Sequence, residues 1–300
     1  MKLHADSDRF SVITDPTNEE LEDFEAGLES YNLKQTNEEF NKPEEWLNLI
    51  LKDHEGNIVG GIQTSTLYWA QYLETFWVDT RYRRQGYGRD LLLEAERLAK
   101  KNGCVVSQTY TFSFQGPEFY QAVGYKIKAI YDGYVEGITE IILMKRLDET
   151  DIEPKKKDPA RFSVHKVTPE EAEGPIHEGM RLDSIDKLGD LRHIYPEIGI
   201  RMVIKNEEEQ VIGGLRGYTT LGTMNIEAFW VHEKYQNQGY GKDLLTTAES
   251  LAKEKGCIAG QTACFTFQNL DFFRKQGYNE YGCLDGYPNG VKEYMLIKKF

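Results

Sequence analysis

Two stretches of the chain could do the same chemistry. FWVDTRYRRQGYGRDLL runs from Phe76 to Leu92, and FWVHEKYQNQGYGKDLL from Phe229 to Leu245. Each joins a strand-like apolar triplet to an amphipathic helical pattern through R/Q-x-x-G-x-G. The first turn of a helix has four backbone N–H groups without partners, and that end carries partial positive charge. An anion seated there satisfies both. Glycine at 86 and 88, and again at 239 and 241, lets the backbone approach a diphosphate with no Cβ in the way. Arg83 and Gln236 open the loops and bring a side-chain donor; Arg89 and Lys242 follow the second glycine and add positive charge. A single G-x-G reads as a tight turn. Two of them, in the same strand-to-helix setting, read as anion-binding loops. The spacing is neither G-x-x-x-x-G-K-[ST] nor G-x-G-x-x-G, so a nucleotide-hydrolysing loop and a dinucleotide fold are both excluded.

The elements that must hold these loops are duplicated with them. Gly86 matches Gly239, and the same displacement pairs Glu74 with Glu227, Trp77 with Trp230, Cys104 with Cys257 and Gln115 with Gln268. Between Glu74 and Tyr125 roughly half the positions are identical, which marks a duplicated domain and not a solenoid of short units. RFSV opens both copies, at Arg9 and Arg161. The expected boundaries are 1–147 for the first domain, 148–160 for a charged, proline-bearing linker, and 161–300 for the second.

Each copy reads as a helix-compatible region (16–46 and 168–197) and a hairpin (LNLILKDHEGNIVGGIQTST and IRMVIKNEEEQVIGGLRGYT), followed by the pre-loop strand, the loop and a helix. Leu91, Leu92, Ala95, Leu98 and Ala99 give that helix one apolar face, as do Leu244, Leu245, Ala248, Leu251 and Ala252 in the second copy. Another strand, a short helix stopped by Gly-Tyr and two β-rich runs complete the copy. The expected class is α/β (α+β), with a mixed, mostly antiparallel sheet flanked by helices. Alternation along the pre-loop strand puts Glu74 on the face of Phe76 and Val78.

Composition narrows the chemistry. A net charge of −13 lacks the basic face that nucleic acid requires, and it leaves room for a cationic substrate. The four cysteines form no C-x-x-C pair and the six histidines no metal signature, so no metal is expected and the thiols read as reduced, in a cytoplasmic protein. The start has no signal-peptide core, and no run is long and apolar enough for a bilayer.

FWVDTRYRRQGYGRDLLLEAERLAKKNGC resembles the coenzyme-A-binding motif of the GNAT superfamily of N-acetyltransferases, and TFSFQGPEFYQAVGY resembles that superfamily's next motif. The resemblance recurs once per copy and covers nearly the whole chain. It implies an acetyl-CoA-dependent N-acetyltransferase in which a primary amine of a small molecule, or a free amino group, attacks the thioester directly. It places the cofactor on Trp77, Val78, Arg83, Arg84, Gln85, Gly86, Tyr87, Gly88 and Arg89, and on Val231, Gln236, Asn237, Gln238, Gly239, Tyr240, Gly241 and Lys242. Tyr120 falls where the family's tyrosine protonates the leaving thiolate, and Glu74 where a strand carboxylate deprotonates the amine. Gln115 and Gln268 stand where the family often has asparagine.

The copies are not equivalent. The second has Phe273 for Tyr120, Gln236 for Arg83, and Leu221-Gly222 for Tyr68-Trp69. Tyr31-Asn32 is expected to build the acceptor site of the first copy, with Leu182-Asp183 nearby in the second. The chemistry is therefore expected in the first copy, with the two domains pairing. The alternative is an acyl-CoA-binding regulatory or scaffold protein with little turnover; an aminoacyl transferase using charged tRNA ranks below both. Aminoglycoside, polyamine, amino acid and peptide N-terminus all remain open as acceptor.

Overall fold

Apolar alternation sets the strands, and glycines or caps set their ends. The computed structural model describes residues 10–36, 44–149, 162–189 and 191–300. The first copy runs β1 (Val12–Ile13), α1 (Asn18–Gln35), β2 (Glu45–Asp53), β3 (Ile58–Leu67), β4 (Ala70–Val78), α2 (Tyr87–Lys101), β5 (Val106–Phe112), α3 (Pro117–Ala122), β6 (Lys126–Tyr131) and β7 (Glu140–Arg146). The second runs β8 (Phe162–Val167), α4 (Pro169–Leu188), α5 (Leu191–Ile194), β9 (Ile198–Lys205), β10 (Val211–Thr220), β11 (Thr223–Val231), α6 (Tyr240–Glu254), β12 (Ala259–Phe265), α7 (Leu270–Lys275), β13 (Asn279–Leu284) and β14 (Glu293–Lys299). Helices α1 and α4 begin with capping boxes, Thr17 with Glu20 and Thr168 with Glu171. Each box satisfies two orphan N–H groups reciprocally.

The fourteen strands form one sheet, in the order β1-β9-β10-β11-β12-β14-β13-β6-β7-β5-β4-β3-β2-β8. Most pairs are antiparallel; β4–β5 and β11–β12 are parallel. The halves meet at β13 and β6, where Gly282 lies opposite Ala129. A Cβ on Gly282 would stand 2.2 Å from that of Ala129, so only glycine allows the approach. Matched clusters flank the seam. The Gln108 amide donates to Glu293 at 3.2 Å, and Tyr287 donates to Gln108 and Glu293 at 3.0 and 2.5 Å. On the other side the Gln261 amide donates to Tyr134 and Glu140 at 2.8 and 3.0 Å. Burial raises the pKa of both Glu140 and Glu293, and the hydrogen bonds from their amide and tyrosine partners offset part of that cost.

The outer edge of each half is supplied by the other copy. β1 pairs with β9 (Val12↔Ile204), and β8 pairs with β2 (Ile50↔His165). Helix α1 packs on the second half, with Phe24 fully buried against Val203, Ala228 and Trp230. Helix α4 packs on the first, with Ala172 and Ile176 against Ile50 and Trp77. Glycines let each helix meet a tryptophan face. A Cβ on Gly27 would lie 2.4 Å from Trp230, and one on Gly179 would lie 2.2 Å from Trp77. Phe10 stacks on Tyr240 with centroids 5.6 Å apart, and Phe162 packs on Tyr87 at 4.0 Å. The two units are thus interleaved in space, although the repeats are consecutive in sequence. Leu147, at the expected boundary, is fully buried, while linker residues 150–160 fall outside the described residues. Glu45 and Trp46, grouped with the helical region in the sequence, open β2.

Candidate active site

The loop after β4 is shaped by its own residues. Arg84 has φ 60° and Gly86 φ 95°; Asn237 and Gly239 repeat this at 60° and 100°. Alternating left-handed residues turn successive N–H groups toward one concavity, an anion nest, at the start of an α-helix of fifteen residues. Gly88 lets α2 meet β4: a Cβ there would approach Phe76 at 3.3 Å and Val78 at 3.4 Å.

The side chains of the two loops do different things. Arg83 is not free to reach a diphosphate. Its Nε donates to the carbonyl of Val78 at 2.6 Å, and its guanidinium pairs with Asp183 of α4. Gln236 donates to the matching carbonyl of Val231 at 2.9 Å. The first loop residue therefore staples the strand end to the loop. Gln85 and Gln238 donate to the carbonyls of Arg81 and Lys234. Tyr87 and Tyr240 are buried in the cores, so only their backbone faces the helix start. Arg84 and Arg89 line the open cavity and carry the positive charge there.

Parallel pairing between β4 and β5 stops at Leu73↔Thr109, and beyond it the strands diverge. A bulge accompanies the divergence. Gln63 pairs with Thr75 and Thr64 with Leu73, which leaves Glu74 as the extra residue. The expected alternation therefore fails: Glu74 does not share the face of Phe76 and Val78. Its carboxylate accepts from Ser65 Oγ at 2.7 Å, on the opposite face, and its exposed area looks into the cavity. Burial raises its pKa, and the Ser65 hydrogen bond opposes the rise. Tyr120, from α3, lines the same cavity. Burial pushes its phenol up to about 12, with a hydrogen bond to Thr109 offsetting part of the effect. Gln115 and Gln268 accept from the N–H groups of Phe112 and Phe265, and so cap the strand ends.

This cavity, which opens onto second-copy residues such as Tyr218, Asn225 and Thr262 as well, has a volume of about 1410 Å³. The cleft on the far side of the second copy's strands has about 100 Å³. Two contacts help to keep that cleft narrow. Thr262, the match of Thr109, faces Phe273, which offers no hydroxyl. It donates instead to the carbonyl of Ile226 at 3.0 Å, across the place where the strands would part. Glu227, the bulge residue matching Glu74, is paired with Arg216 at 2.5 Å, and Arg216 also holds Glu25 of α1 at 2.6 Å. Of the expected second-copy cofactor residues, Val231 and Gln236 line this cleft.

Tyr31 and Asn32 are a correction. They line the second copy's cleft, because α1 crosses over. Met180, Asp183, Ser184 and Lys187 of α4 take that place in the first. Ser65 and Arg216 went unnoticed as site residues in the sequence, and Asp183, read with Leu182 in the second copy, lines the first copy's cavity instead. Arg216 had a signal: its match in the first copy is the neutral Gln63, beside the bulge. The placement of Asp183 had none, since nothing local announces the crossover. Among the described residues no group of His, Cys, Asp or Glu could hold a metal, and no helix is long and apolar enough to cross a membrane.

Strands that splay at a bulge, beside a glycine nest that starts a helix, define the acyl-CoA transferase type of fold. The acetyltransferase (GNAT) family model matches residues 13–125 and again 170–278, and the chain belongs to that family. It is an acyltransferase, with acetyl-CoA as acyl donor. It is 38% identical over 93 residues to blasticidin-S acetyltransferase of Streptomyces morookaense, covering 31% of this chain and 68% of that one. It is 25% identical over 139 residues to an acetyltransferase of Agrobacterium fabrum, covering 46% and 98%. Among solved structures, an acetyltransferase of Bacillus cereus is 32% identical, with TM-score 0.42, over 46% of this chain and 97% of that one.

Proposed function

We propose that the protein transfers an acetyl group from acetyl-CoA to a primary amine of a small molecule, by direct attack in a ternary complex formed in the first copy's cavity. The observation that carries this is the asymmetry of the two clefts. One is open and lined by Glu74 and Tyr120; the other is narrowed to about 100 Å³, with Phe273 and an ion-paired Glu227.

Acetyl-CoA supplies a thioester acyl carbon when bound. The nest of Arg84 to Gly88, with Arg89, would hold its diphosphate, and the splay beyond Leu73↔Thr109 would receive its arm. Arg83, stapled to Val78, keeps the strand end and the nest in register. Glu74 takes the proton of the amine, so that a neutral nitrogen forms the N–C bond. Tyr120 gives its proton to the sulfur as the C–S bond breaks, and the second proton shed by the nitrogen returns to the Tyr120 oxygen. This leaves the amide, the free thiol and a protonated Glu74 that discharges to solvent. Both groups are preorganised, by Ser65 and by Thr109, so little reorganisation accompanies transfer.

Thiol release from acetyl-CoA in the presence of amines tests the reading. Valine at Gly86, which has φ 95°, strains the nest and should abolish release; valine at Gly239 should leave most of it. Equal loss from both variants would sink the assignment to the first copy.

The pH dependence has a definite sign. Protonated Glu74 cannot accept a proton, so kcat falls as pH drops through its pKa, which burial raises. Ser65→Ala removes an interaction that lowers this pKa and should move the acid limb further up. Glu74→Gln should lower kcat by about 10²-fold and erase the limb. A limb unmoved in either variant excludes Glu74 as the base.

A further inference from the structure

We propose that the acceptor is an elongated dication, with one amine at Glu74 for acetylation and a second cationic group held by the second copy's wall of the same cavity. The proposal rests on the transfer reading above. A volume of about 1410 Å³ exceeds what one small ligand usually occupies, about 300–1,000 Å³. It has room for the donor arm and a long acceptor together. The walls belong to both copies, since Tyr218, Asn225, Glu227 and Thr262 line it alongside Glu74 and Tyr120.

The arginines are segregated along this space. Arg83, Arg84 and Arg89 stand at the loop end. Asp90 and Asp183 share that end, Asp183 paired with Arg83; Glu74, Glu118, Glu140, Glu197 and Glu227 also line the cavity, and the remaining cation, Lys187, donates to the carbonyl of Phe114 at 2.8 Å. Glu227 is close enough for its charge to disfavour ionisation of Glu74. Arg216 does not cancel this, because it is shared between Glu227 and Glu25. Glu197 has no ion pair among the described residues.

A second, independent feature points to a ligand. The hydroxyls of Tyr218 and of the partly exposed Tyr110 line the cavity with no hydrogen-bond partner among the described residues. Their oxygens can accept from an ammonium group, and their rings can face one. The chemistry of transfer then selects the number of charges. The reacting amine surrenders its proton to Glu74 before the N–C bond forms, so it brings no net charge to the reaction. Glu197, and Glu227 with its shared arginine, then face a second group that keeps its proton.

The test compares α,ω-diaminoalkanes of increasing length with n-alkylamines of matched length, by thiol release from acetyl-CoA on the full chain. The expected result is a kcat/KM for the best diamine at least about tenfold above its matched monoamine, carried by KM. In the double variant Glu197→Gln, Glu227→Gln the ratio should fall toward one, with acetyl-CoA affinity measured on the same sample as the control for folding. Equal kcat/KM for the two series in the wild type, or a ratio that survives the double variant, overturns the proposal and leaves acetyl transfer standing. Absence of thiol release with every amine, from protein that binds acetyl-CoA, overturns the transfer reading and this proposal with it.

Discussion

Tyr120→Phe lowers kcat for thiol release by about 10²- to 10³-fold, the range expected when a positioned acid is removed. Its affinity for acetyl-CoA stays nearly unchanged, as isothermal titration will record. The argument begins with burial. The phenol is enclosed, its pKa is pushed to about 12, and it keeps its proton throughout the neutral range. A thiolate departing beside this protonated phenol can take its proton directly, which lowers the barrier. Phenylalanine preserves the packing against Phe76, Phe119 and Tyr125, whose centroids lie 6.4, 5.3 and 5.7 Å away. The second copy demonstrates the fit: Phe273 occupies the matched position against Phe229 and Tyr278 at 5.4 and 5.5 Å. The loss of one hydrogen bond to Thr109 costs only about 1 kcal/mol of stability. The effect therefore falls on kcat. A variant that turns over at the wild-type rate removes Tyr120 from the mechanism.

Phe24→Ala destabilises the second half of the sheet by about 3–5 kcal/mol, as for other large-to-small changes of a fully buried aromatic. Phe24 is 0% exposed and belongs to the first copy in sequence, yet its neighbours are Val203, Ala228 and Trp230. Hydrogen exchange should accelerate first in β9, β10 and β11, and least in β2, β3 and β4. Ile176→Ala gives the mirror result, at about 2–5 kcal/mol, since Ile176 packs on Ile50 and Trp77. Phe24→Ala with exchange quickened in β2–β4 instead would mean that each helix packs on its own copy's sheet.

The contrast between these two residues measures what the sequence could reveal. The loop, its glycines and the apolar face of α2 were legible because their causes are local: a helix start, a close approach, a period of 3.6 residues. Tyr120 was legible through its neighbours in the motif. The crossover was not, and the reason is degeneracy. RFSV runs into both outer strands, and LNLILK and IRMVIK present similar apolar edges. Periodicity says that a strand pairs with such an edge, but not which of two equivalent strands does so. Tyr31 and Asn32 were consequently read into the wrong half. Glu74 failed for another reason. Alternation assumes one residue per partner, and the bulge opposite Gln63 and Thr64 inserts an extra one. The dipeptide gives no sign of that insertion; only the pairing register does.

The reciprocal strand and helix also govern how the molecule is made. A ribosome delivers the chain from its N-terminus at about 5–20 residues per second. When residue 147 emerges, β2 has no outer neighbour and β1 has no strand to join, because β9 does not yet exist. The hydrogen-bonding edge of β2 stays open until Val167 appears, and α1 waits until β11 is complete. Neither half can mature during synthesis without material from the other, so final closure is a single late event. Over that interval the nascent chain displays an unpaired sheet margin, the surface that holdase chaperones and neighbouring polysomes compete to cover.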